Sequence, residues 1–496
     1  MNRKSRNIHT VCADTTVGNL SNHKIKFSKD YYELVKPYID RDISEKLESF
    51  PSLEELTYLA EQEFMKHYGL FPTCATYAPG CLTIAGKNTD LAESKSLSMA
   101  IQLVTLVVGK RSHGNKWCQV KTLSDEIAGE KTFKLSLKDE NLHVSTEETS
   151  WIRYLKGTIR SFKDKGAHVP GFQIVIASSL PVKCGLGSSS ALVVALYTFL
   201  EAITSMYTRN VMEKTLACHF AEKIAAASCR VRITDVLTSV LGKVDKISLF
   251  DTRSLRIDRF DWNAIDVELI FIELVTVEKS QSPEWCTNDT CYKEIMTVMN
   301  TTSQWRTHPL GTSMMEFLFS RKTMQINRNI IDQDERIMKM TDSIRKQRWK
   351  EWGKLLWENH HSVCKTSNFL SNNIGRIMNM LENIEGVLGA SVIGYGASII
   401  TLVQRSTLNN VVSFLNRTKN SQQRFYIMKS FTGASTLYTY ERRLEPWDIK
   451  HVSRLKLIIK YHLSDKDDND TESYHKELEK LSVAISLFIP RKSIDL

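Results

Sequence analysis

The sequence lacks the features that mark a membrane or secreted protein. It has no run of about 18 apolar residues, the length that a membrane-spanning helix needs, and its most apolar stretch, residues 191–203, contains Glu201. Residues 1–29 are polar and basic, without the apolar core of about 7 to 15 residues that a secretory signal requires. These absences predict a cytoplasmic protein that neither spans nor binds a membrane.

Cysteine and proline are also scarce, with 10 of each in 496 residues. The cysteines are scattered, and in a long chain without a signal peptide we expect reduced thiols rather than disulfides. With 42% hydrophobic and 25% charged residues, the composition is that of a globular protein. Because single cores stop growing at about 250 to 300 residues, the length predicts two domains.

The predicted organisation is a disordered tail at residues 1–25, an N-terminal domain at 26–250 and a C-terminal domain at 251–496. No internal repeat or low-complexity linker separates the halves, which favours two closely packed domains, and we expect a monomer. Helical and strand-like segments are mixed along the chain, so the predicted fold class is α+β. The predicted helices are 53–68, 191–206, 211–227, parts of 291–364 and 409–416, and the predicted strands are 74–77, 82–85, 172–176, 267–275, 424–428 and 482–489.

A formal net charge of +10 raises the question of nucleic-acid binding. The densest basic stretch, residues 345–354, follows and overlaps a pattern of apolar residues at helical spacing. This pattern includes Ile337, Met340, Ile344, Trp352, Leu355 and Leu356. The basic side chains are therefore predicted to lie on the solvated face of an amphipathic helix, and no nucleic-acid partner is expected.

The segment with the clearest chemistry is PVKCGLGSSSA, residues 181–191, between a predicted strand and a predicted helix. A Gly/Ser-rich turn at a helix N-terminus exposes unpaired N–H groups at the positive end of the helix dipole, and so favours phosphate. Serine hydroxyls at this position suit phosphate oxygens or a bridging Mg²⁺. Taken alone, the segment is equally compatible with a capped turn in which the serines are N-caps.

The same segment resembles the second motif of the GHMP kinases, especially that of galactokinase and N-acetylgalactosamine kinase. Two further stretches follow the family's order. Residues 78–90, APGCLTIAGKNTD, resemble the galactokinase signature, and residues 232–235, RITD, resemble the segment with the catalytic aspartate. Residues 389–403, with Gly394 and Gly396, resemble a shortened third motif. The resemblance implies a ribosomal-S5-like N-terminal domain, a ferredoxin-like C-terminal domain, and ATP and a sugar between them.

The resemblance also implies roles for individual residues. Asp235 matches the aspartate that accepts the proton of the attacking sugar hydroxyl; by its position alone it is also compatible with a helix-start carboxylate. The implied nucleotide-binding residues are Gly185, Leu186, Gly187, Ser188, Ser189 and Ser190, with Ser189 and Glu222 as Mg²⁺ ligands. The implied sugar-binding positions are Asp90, Asn88, Lys87, Cys81 and Arg232.

Several of these positions depart from the family pattern. Cys81 stands in place of an arginine, Lys87 in place of a glutamate and Asn88 in place of a histidine. Lys183 and Cys184 stand where galactokinases often have glycine, and Arg232 also replaces a glycine. A neutral thiol cannot balance phosphoryl charge as an arginine does. The site becomes more basic overall, which suggests an anionic ligand such as a sugar phosphate, or a nucleotide that is bound without transfer; drift in a site that is no longer used is the alternative.

Three functions are compatible with this pattern. The first is a galactokinase-like enzyme, weakened or altered, that uses Mg-ATP to phosphorylate galactose or a related hexose at the anomeric hydroxyl. The second is a catalytically inactive, galactokinase-like ligand sensor that acts through a protein partner. The third is a relic that retains only a scaffold function.

Overall fold

The computed structural model describes residues 25–27, 50–86, 94–112, 116–124, 127, 129–226, 231–262, 264–274, 321–366, 372–418 and 423–440. The chain divides into two units, residues 1–28 with 438–496 and residues 29–437. In the first unit, strand β1 (Ile25–Phe27) pairs antiparallel with residues 438–440 of the last strand, β13 (Ser435–Tyr440). The predicted disordered tail up to residue 24 and the predicted strand at 482–489 lie outside the described residues.

Helix α1 (Leu53–Tyr68) shows how local sequence sets the boundaries of an element. Ser52 accepts a hydrogen bond from the backbone N–H of Glu55, and the Glu55 carboxylate accepts one from the N–H of Ser52. This capping box satisfies two N–H groups that the helix itself leaves unpaired. The helix ends at Gly69, whose φ of 66° lies in the left-handed region that glycine adopts without strain. The prediction of a helix at 53–68 is confirmed.

The second unit contains a large sheet with the strand order β2-β3-β6-β4-β5, to which β7 adds beside β3 and β8 beside β7. Its strands are β2 (Cys74–Ala85), β3 (Lys95–Arg111), β4 (Trp117–Thr122), β5 (Thr132–Ser136), β6 (Phe172–Ser178), β7 (Lys246–Asp251) and β8 (Arg256–Asp261). The accompanying helices are α2 (Ser150–Lys163), α3 (Ser188–Thr204), α4 (Val211–Ala226) and α5 (Ile233–Leu241). Helices α2 to α5 pack on one face of this sheet around a continuous apolar core.

Strand β2 corrects the prediction of two short strands at 74–77 and 82–85. It is continuous through Pro79 and Gly80, and it pairs with β3 with a register shift between these two residues. The prediction was wrong because proline and glycine usually end a strand, whereas here they form a bulge that the sheet accommodates. The bulge places Cys81 at the centre of the site described below.

A second sheet has the order β10-β11-β9-β12, all antiparallel. Its strands are β9 (Val267–Glu273), β10 (Val387–Ile393), β11 (Ser398–Gln404) and β12 (Arg424–Met428). The helices of this half are α6 (Arg321–Arg345), α7 (Trp349–Thr366), α8 (Asn372–Glu382) and α9 (Leu408–Thr418). One apolar core joins both sheets to α6 and α7, and another lies between the second sheet and α8 and α9.

The basic stretch at 345–354 spans two helices, α6 and α7, rather than one. The break follows from Gln347, whose φ of 54° is incompatible with a right-handed helix. The predicted division of faces is confirmed: Ile337, Met340 and Trp352 are fully buried, whereas the basic side chains of this stretch are exposed. This basic stretch is therefore the outer face of a packed helix pair.

The mixture of helices and antiparallel sheets confirms the predicted α+β class. The chain passes from the first sheet to the second between Asp261 and Val267. This crossing lies after the predicted domain boundary at residue 250, because β8 (up to Asp261) still pairs with β7 in the first sheet. The division into domains 26–250 and 251–496 stays a prediction. Among the helices within the described ranges, none is both long enough and apolar enough to cross a bilayer.

Candidate active site

The Gly/Ser-rich turn connects β6 to α3. Gly185 and Gly187 have φ values of 82° and 67°, which glycine adopts most readily. Gly187 is the N-cap of α3, and no side chain caps the helix. The alternative in which a serine caps this helix is therefore wrong: Ser188, Ser189 and Ser190 form its first turn. The N–H groups of this turn have no intrahelical partners and face the helix N-terminus.

Two neighbouring segments hold the turn in place. The N–H of Cys81 donates to the carbonyl of Leu186 at 2.9 Å, which links β2 to the turn. On the other side, Ser398 Oγ donates to the carbonyl of Cys184 at 2.9 Å. A Cβ added at Gly394 would lie 2.7 Å from that carbonyl, so only glycine permits this approach. The structure thus brings residues 80–81, 184–186 and 394–398 into contact.

Asp235 lies directly beside this turn, in the first turn of α5, and is 7% exposed. A Cβ built on Gly187 would be 3.6 Å from the Cβ of Asp235. Thr83 Oγ1 donates to Asp235 Oδ1 at 3.3 Å, and Arg232 Nε lies 3.7 Å from Oδ2. The aspartate is therefore both a helix-start residue and part of the turn's surroundings.

Glu222, on α4, reaches the same turn from a third direction and is 2% exposed. Its Oε1 accepts a hydrogen bond from Ser190 Oγ at 2.9 Å. The pKa of Glu222 is raised to about 7, mainly by burial and also by the charge of Asp235. Hydrogen bonds from Ser189 and Ser190 and the charge of Arg232 act in the opposite direction. Two hydroxyls and a carboxyl group converge here, and oxygen donors of this kind are those that Mg²⁺ prefers.

Comparisons with known proteins agree on one family. Residues 153–243, which include the turn and Asp235, match the family of GHMP kinases N terminal domains. Galactokinase of Bos taurus is 24% identical over 392 residues, covering 78% of this chain and 98% of the relative. Human galactokinase is 23% identical over 391 residues, with the same coverage of both chains. Part of the chain is therefore similar to the GHMP kinases, and most of it is similar to galactokinases.

A solved structure has a similar fold. The galactokinase of Lactococcus lactis, determined in complex with galactose, superposes with a TM-score of 0.63 at 18% identity. The alignment covers 77% of this chain and 99% of the other. The predicted two-domain GHMP kinase fold is confirmed by this similarity.

The candidate site differs from the galactokinase pattern at Cys81. This residue is fully buried on β2, and its Sγ lies 3.5 Å from Thr83 Oγ1. The structure thus places a neutral thiol next to the hydroxyl that contacts Asp235. The predicted sugar-binding residues Lys87, Asn88 and Asp90 lie outside the described residues.

Sequence reasoning missed Thr83, Ser98 and Ser398. Thr83 contacts Asp235, Ser98 Oγ donates to Thr83 Oγ1 at 3.3 Å, and Ser398 holds the turn. A signal for Thr83 was present, because alternate residues of a strand share a face and Thr83 is two positions beyond Cys81. No such signal exists for Ser98 or Ser398, which reach the site only through strand pairing and the packing of the second sheet.

Proposed function

We propose that this chain is an ATP-dependent sugar 1-kinase that transfers the γ-phosphoryl group to the anomeric hydroxyl of galactose or a related hexose. The main support is the position of Asp235, next to the N-terminal turn of α3 and in contact with Thr83. A general base must lie within reach of both the acceptor hydroxyl and the phosphate. The similarity to galactokinases supports the choice of sugar.

The turn fits a nucleotide phosphate chain. Gly187 lets the turn approach β2 closely, since an added Cβ would be 3.2 Å from the Cβ of Cys81. The N–H groups and hydroxyls of Ser188, Ser189 and Ser190 are the groups we assign to the phosphate oxygens. Ser189, Ser190 and Glu222 are the residues that would hold Mg²⁺. When bound, Mg²⁺ neutralises charge on the β- and γ-phosphate oxygens.

The assigned roles describe a balanced transfer. Asp235 accepts the proton of the anomeric hydroxyl while its oxygen forms a bond to the γ-phosphorus. The bond between that phosphorus and the bridging oxygen breaks, and ADP leaves with the electron pair. Thr83 orients the carboxylate through its hydrogen bond to Oδ1. Donors at the α3 N-terminus face the charge that develops on the phosphoryl oxygens.

The test is ADP release from Mg-ATP with a panel of hexoses and hexose phosphates. We expect turnover with galactose or a close relative, and a loss of about 10²- to 10⁴-fold in Asp235→Asn, because general-base catalysis contributes about that factor. The control is Asp139→Asn, since the Asp139 side chain is 87% exposed between β5 and α2. A control that loses as much activity, or an Asp235→Asn variant that keeps it, would contradict the assignment.

A second candidate function rests on Cys81. With a buried thiol beside the Asp235–Thr83 contact, the protein would bind Mg-ATP and sugar without efficient transfer and act as a ligand sensor. Thermal stabilisation by Mg-ATP and galactose, with no turnover on any sugar in the panel, would favour this candidate. A monomeric state and a cytoplasmic location remain part of the proposal; buried thiols such as Cys74 and Cys218 fit a reducing compartment.

A further inference from the structure

Arg232 occupies an unusual position for a cation. It is the N-cap residue of α5, and its side chain makes no capping hydrogen bond. A positive charge at a helix N-terminus opposes the helix dipole, which favours anions there. Its side chain is only 15% exposed and lies 3.7 Å from Asp235, whose side chain is 10% exposed. Neither N-cap preferences nor the helix dipole favour a largely buried guanidinium at this position. Residues that break such local rules are expected at functional sites.

Arg232 is a positive charge beside two acidic side chains of the site. Asp235 and Glu222 are both buried beside it, and a phosphate chain would add further negative charge. The charge of Arg232 acts on Glu222 as well as on Asp235. Arg232 lies near Oδ2 of Asp235, whereas Oδ1 accepts from Thr83 of β2, which lies next to the thiol of Cys81; both of these β2 groups are neutral. Two carboxylates and a phosphate in one low-dielectric site repel one another, so a cation fixed beside Asp235 would add to the charge compensation that Mg²⁺ supplies near Glu222.

We propose that Arg232 supplies, from the start of α5, the positive charge that faces the transferred phosphoryl group, at a site where Cys81 and Thr83 of β2 are both neutral. This inference rests on the proposed function. As the γ-phosphorus leaves the bridging oxygen of ADP and bonds to the acceptor oxygen, Asp235 takes the acceptor proton and Arg232 faces the phosphoryl oxygens. The guanidinium does not take part in proton transfer, because arginine stays charged in proteins.

The test compares Arg232→Gln, Arg232→Lys and the double variant Arg232→Gln with Cys81→Arg. Arg232→Gln should lower kcat/KM by about 10²- to 10³-fold, the usual effect of removing one preorganised electrostatic contact. Arg232→Lys should retain more activity, because the charge is kept. In the double variant, a guanidinium is restored from β2, and we expect kcat/KM to rise at least about tenfold above that of Arg232→Gln.

Nucleotide affinity provides a readout that a merely structural role would not change. A cation that faces the γ-phosphate contributes to ATP affinity but not to ADP affinity. We therefore expect Arg232→Gln to weaken Mg-ATP binding by about tenfold or more while ADP binding changes little. Equal losses for the two nucleotides, or no loss for either, would overturn the proposal. The ADP measurement also shows whether each variant is folded, so the test does not depend on the buried Cys81→Arg substitution.

Two outcomes separate this inference from the proposed function. If the unaltered protein shows no turnover on any sugar but Arg232→Gln still selectively weakens ATP binding, the kinase proposal fails and the assignment of Arg232 stands. If turnover occurs and Arg232→Gln raises the KM for a hexose phosphate while the ratio of ATP to ADP affinity is unchanged, the proposal for Arg232 fails. In that case the residue recognises an anionic acceptor instead.

Discussion

Ser190 and Glu222 lie 32 positions apart in sequence, yet Ser190 Oγ donates to Glu222 Oε1 at 2.9 Å between the first turn of α3 and α4. The contact ties a buried carboxyl group to the turn that we assign to phosphate. Because burial raises the pKa of Glu222 to about 7, its charge state changes near neutral pH. The site therefore combines a structural contact with a titratable group.

The first prediction concerns the Glu222→Gln variant. Between the ordinary pKa of 4.5 and the folded-state value of about 7, the folded protein holds a proton that the unfolded chain has lost. The contribution of Glu222 to the free energy of unfolding therefore falls as pH rises through this window. Glu222→Gln should remove this fall, so that the variant gains stability relative to the original protein from pH 5 to pH 7.5. Thermal unfolding of both proteins across this pH range measures the difference in stability.

Magnesium provides the matching measurement for the same variant. Metal binding requires the ionised carboxylate, so Mg²⁺ in the presence of ATP should raise the unfolding temperature more at pH 8 than at pH 6. In Glu222→Gln this pH dependence should be absent. An equal dependence in both proteins would show that Glu222 is not the metal ligand.

The second prediction concerns Thr83, the residue that donates to Asp235 Oδ1 at 3.3 Å. Thr83→Val keeps the shape of the side chain but leaves a buried carboxylate oxygen without this donor, and should cost about 1 to 3 kcal/mol of stability. We expect kcat to fall while the KM for Mg-ATP changes little, because Thr83 orients the base rather than the nucleotide. Steady-state kinetics separate the two constants; a change in the KM for Mg-ATP alone would contradict this role.

The sequence allowed prediction of elements whose boundaries are set locally. Helix α1 was predictable to the residue because Ser52 and Glu55 form a capping box and Gly69 ends the helix. Strand β12 was predictable for a similar reason, because a short apolar run is bounded by polar residues. Helix α3 was predicted to begin at Ala191, but it begins at Ser188, since its N-cap is a glycine without a capping side chain.

The site was predictable only in part, because its contacts cross elements that are distant in sequence. The pairing of Ser190 with Glu222 and the approach of Gly394 to Cys184 depend on how α4 and the second sheet pack. No sequence spacing encodes these contacts. By contrast, the ion pair between Arg232 and Asp235 joins residues i and i+3 at a helix start, a spacing from which it could have been predicted.

The third prediction compares two glycines with nearly the same backbone conformation. Gly187 and Gly69 have φ values of 67° and 66°, but only Gly187 is crowded, with Cys81 Cβ at 3.2 Å from an added Cβ. Alanine in the left-handed region costs about 1 to 2 kcal/mol, so both substitutions should lower stability by about that amount. Only Gly187→Ala should also lose Mg-ATP affinity. If Gly69→Ala weakened nucleotide binding equally, the turn at Gly187 would not be the phosphate site.

The fourth prediction concerns the contact between α7 and β10, which supports the second sheet. Gly353 lies where the helix and strand backbones meet: an added Cβ would be 2.2 Å from the carbonyl oxygen of Leu388. A Cβ at Gly389, on the strand, would be 2.1 Å from the carbonyl oxygen of Gly353. Neither backbone can move without separating packed elements. Gly353→Ala should therefore destabilise the protein by about 1 to 3 kcal/mol or more, as overpacking does.

Gly375, on α8, is the matched control, because it is also a helical glycine but has nothing within 4 Å of an added Cβ. Gly375→Ala should stabilise the protein by about 0.5 to 1 kcal/mol, since alanine loses less backbone entropy than glycine when a helix forms. Urea unfolding measures the change in the free energy of unfolding for each substitution. Changes of opposite sign would show that the close approach of the two backbones, rather than helix propensity, decides the effect at Gly353. The same sign for both would mean that the helix and strand separate easily, and that the second sheet is not held to α7 at this contact.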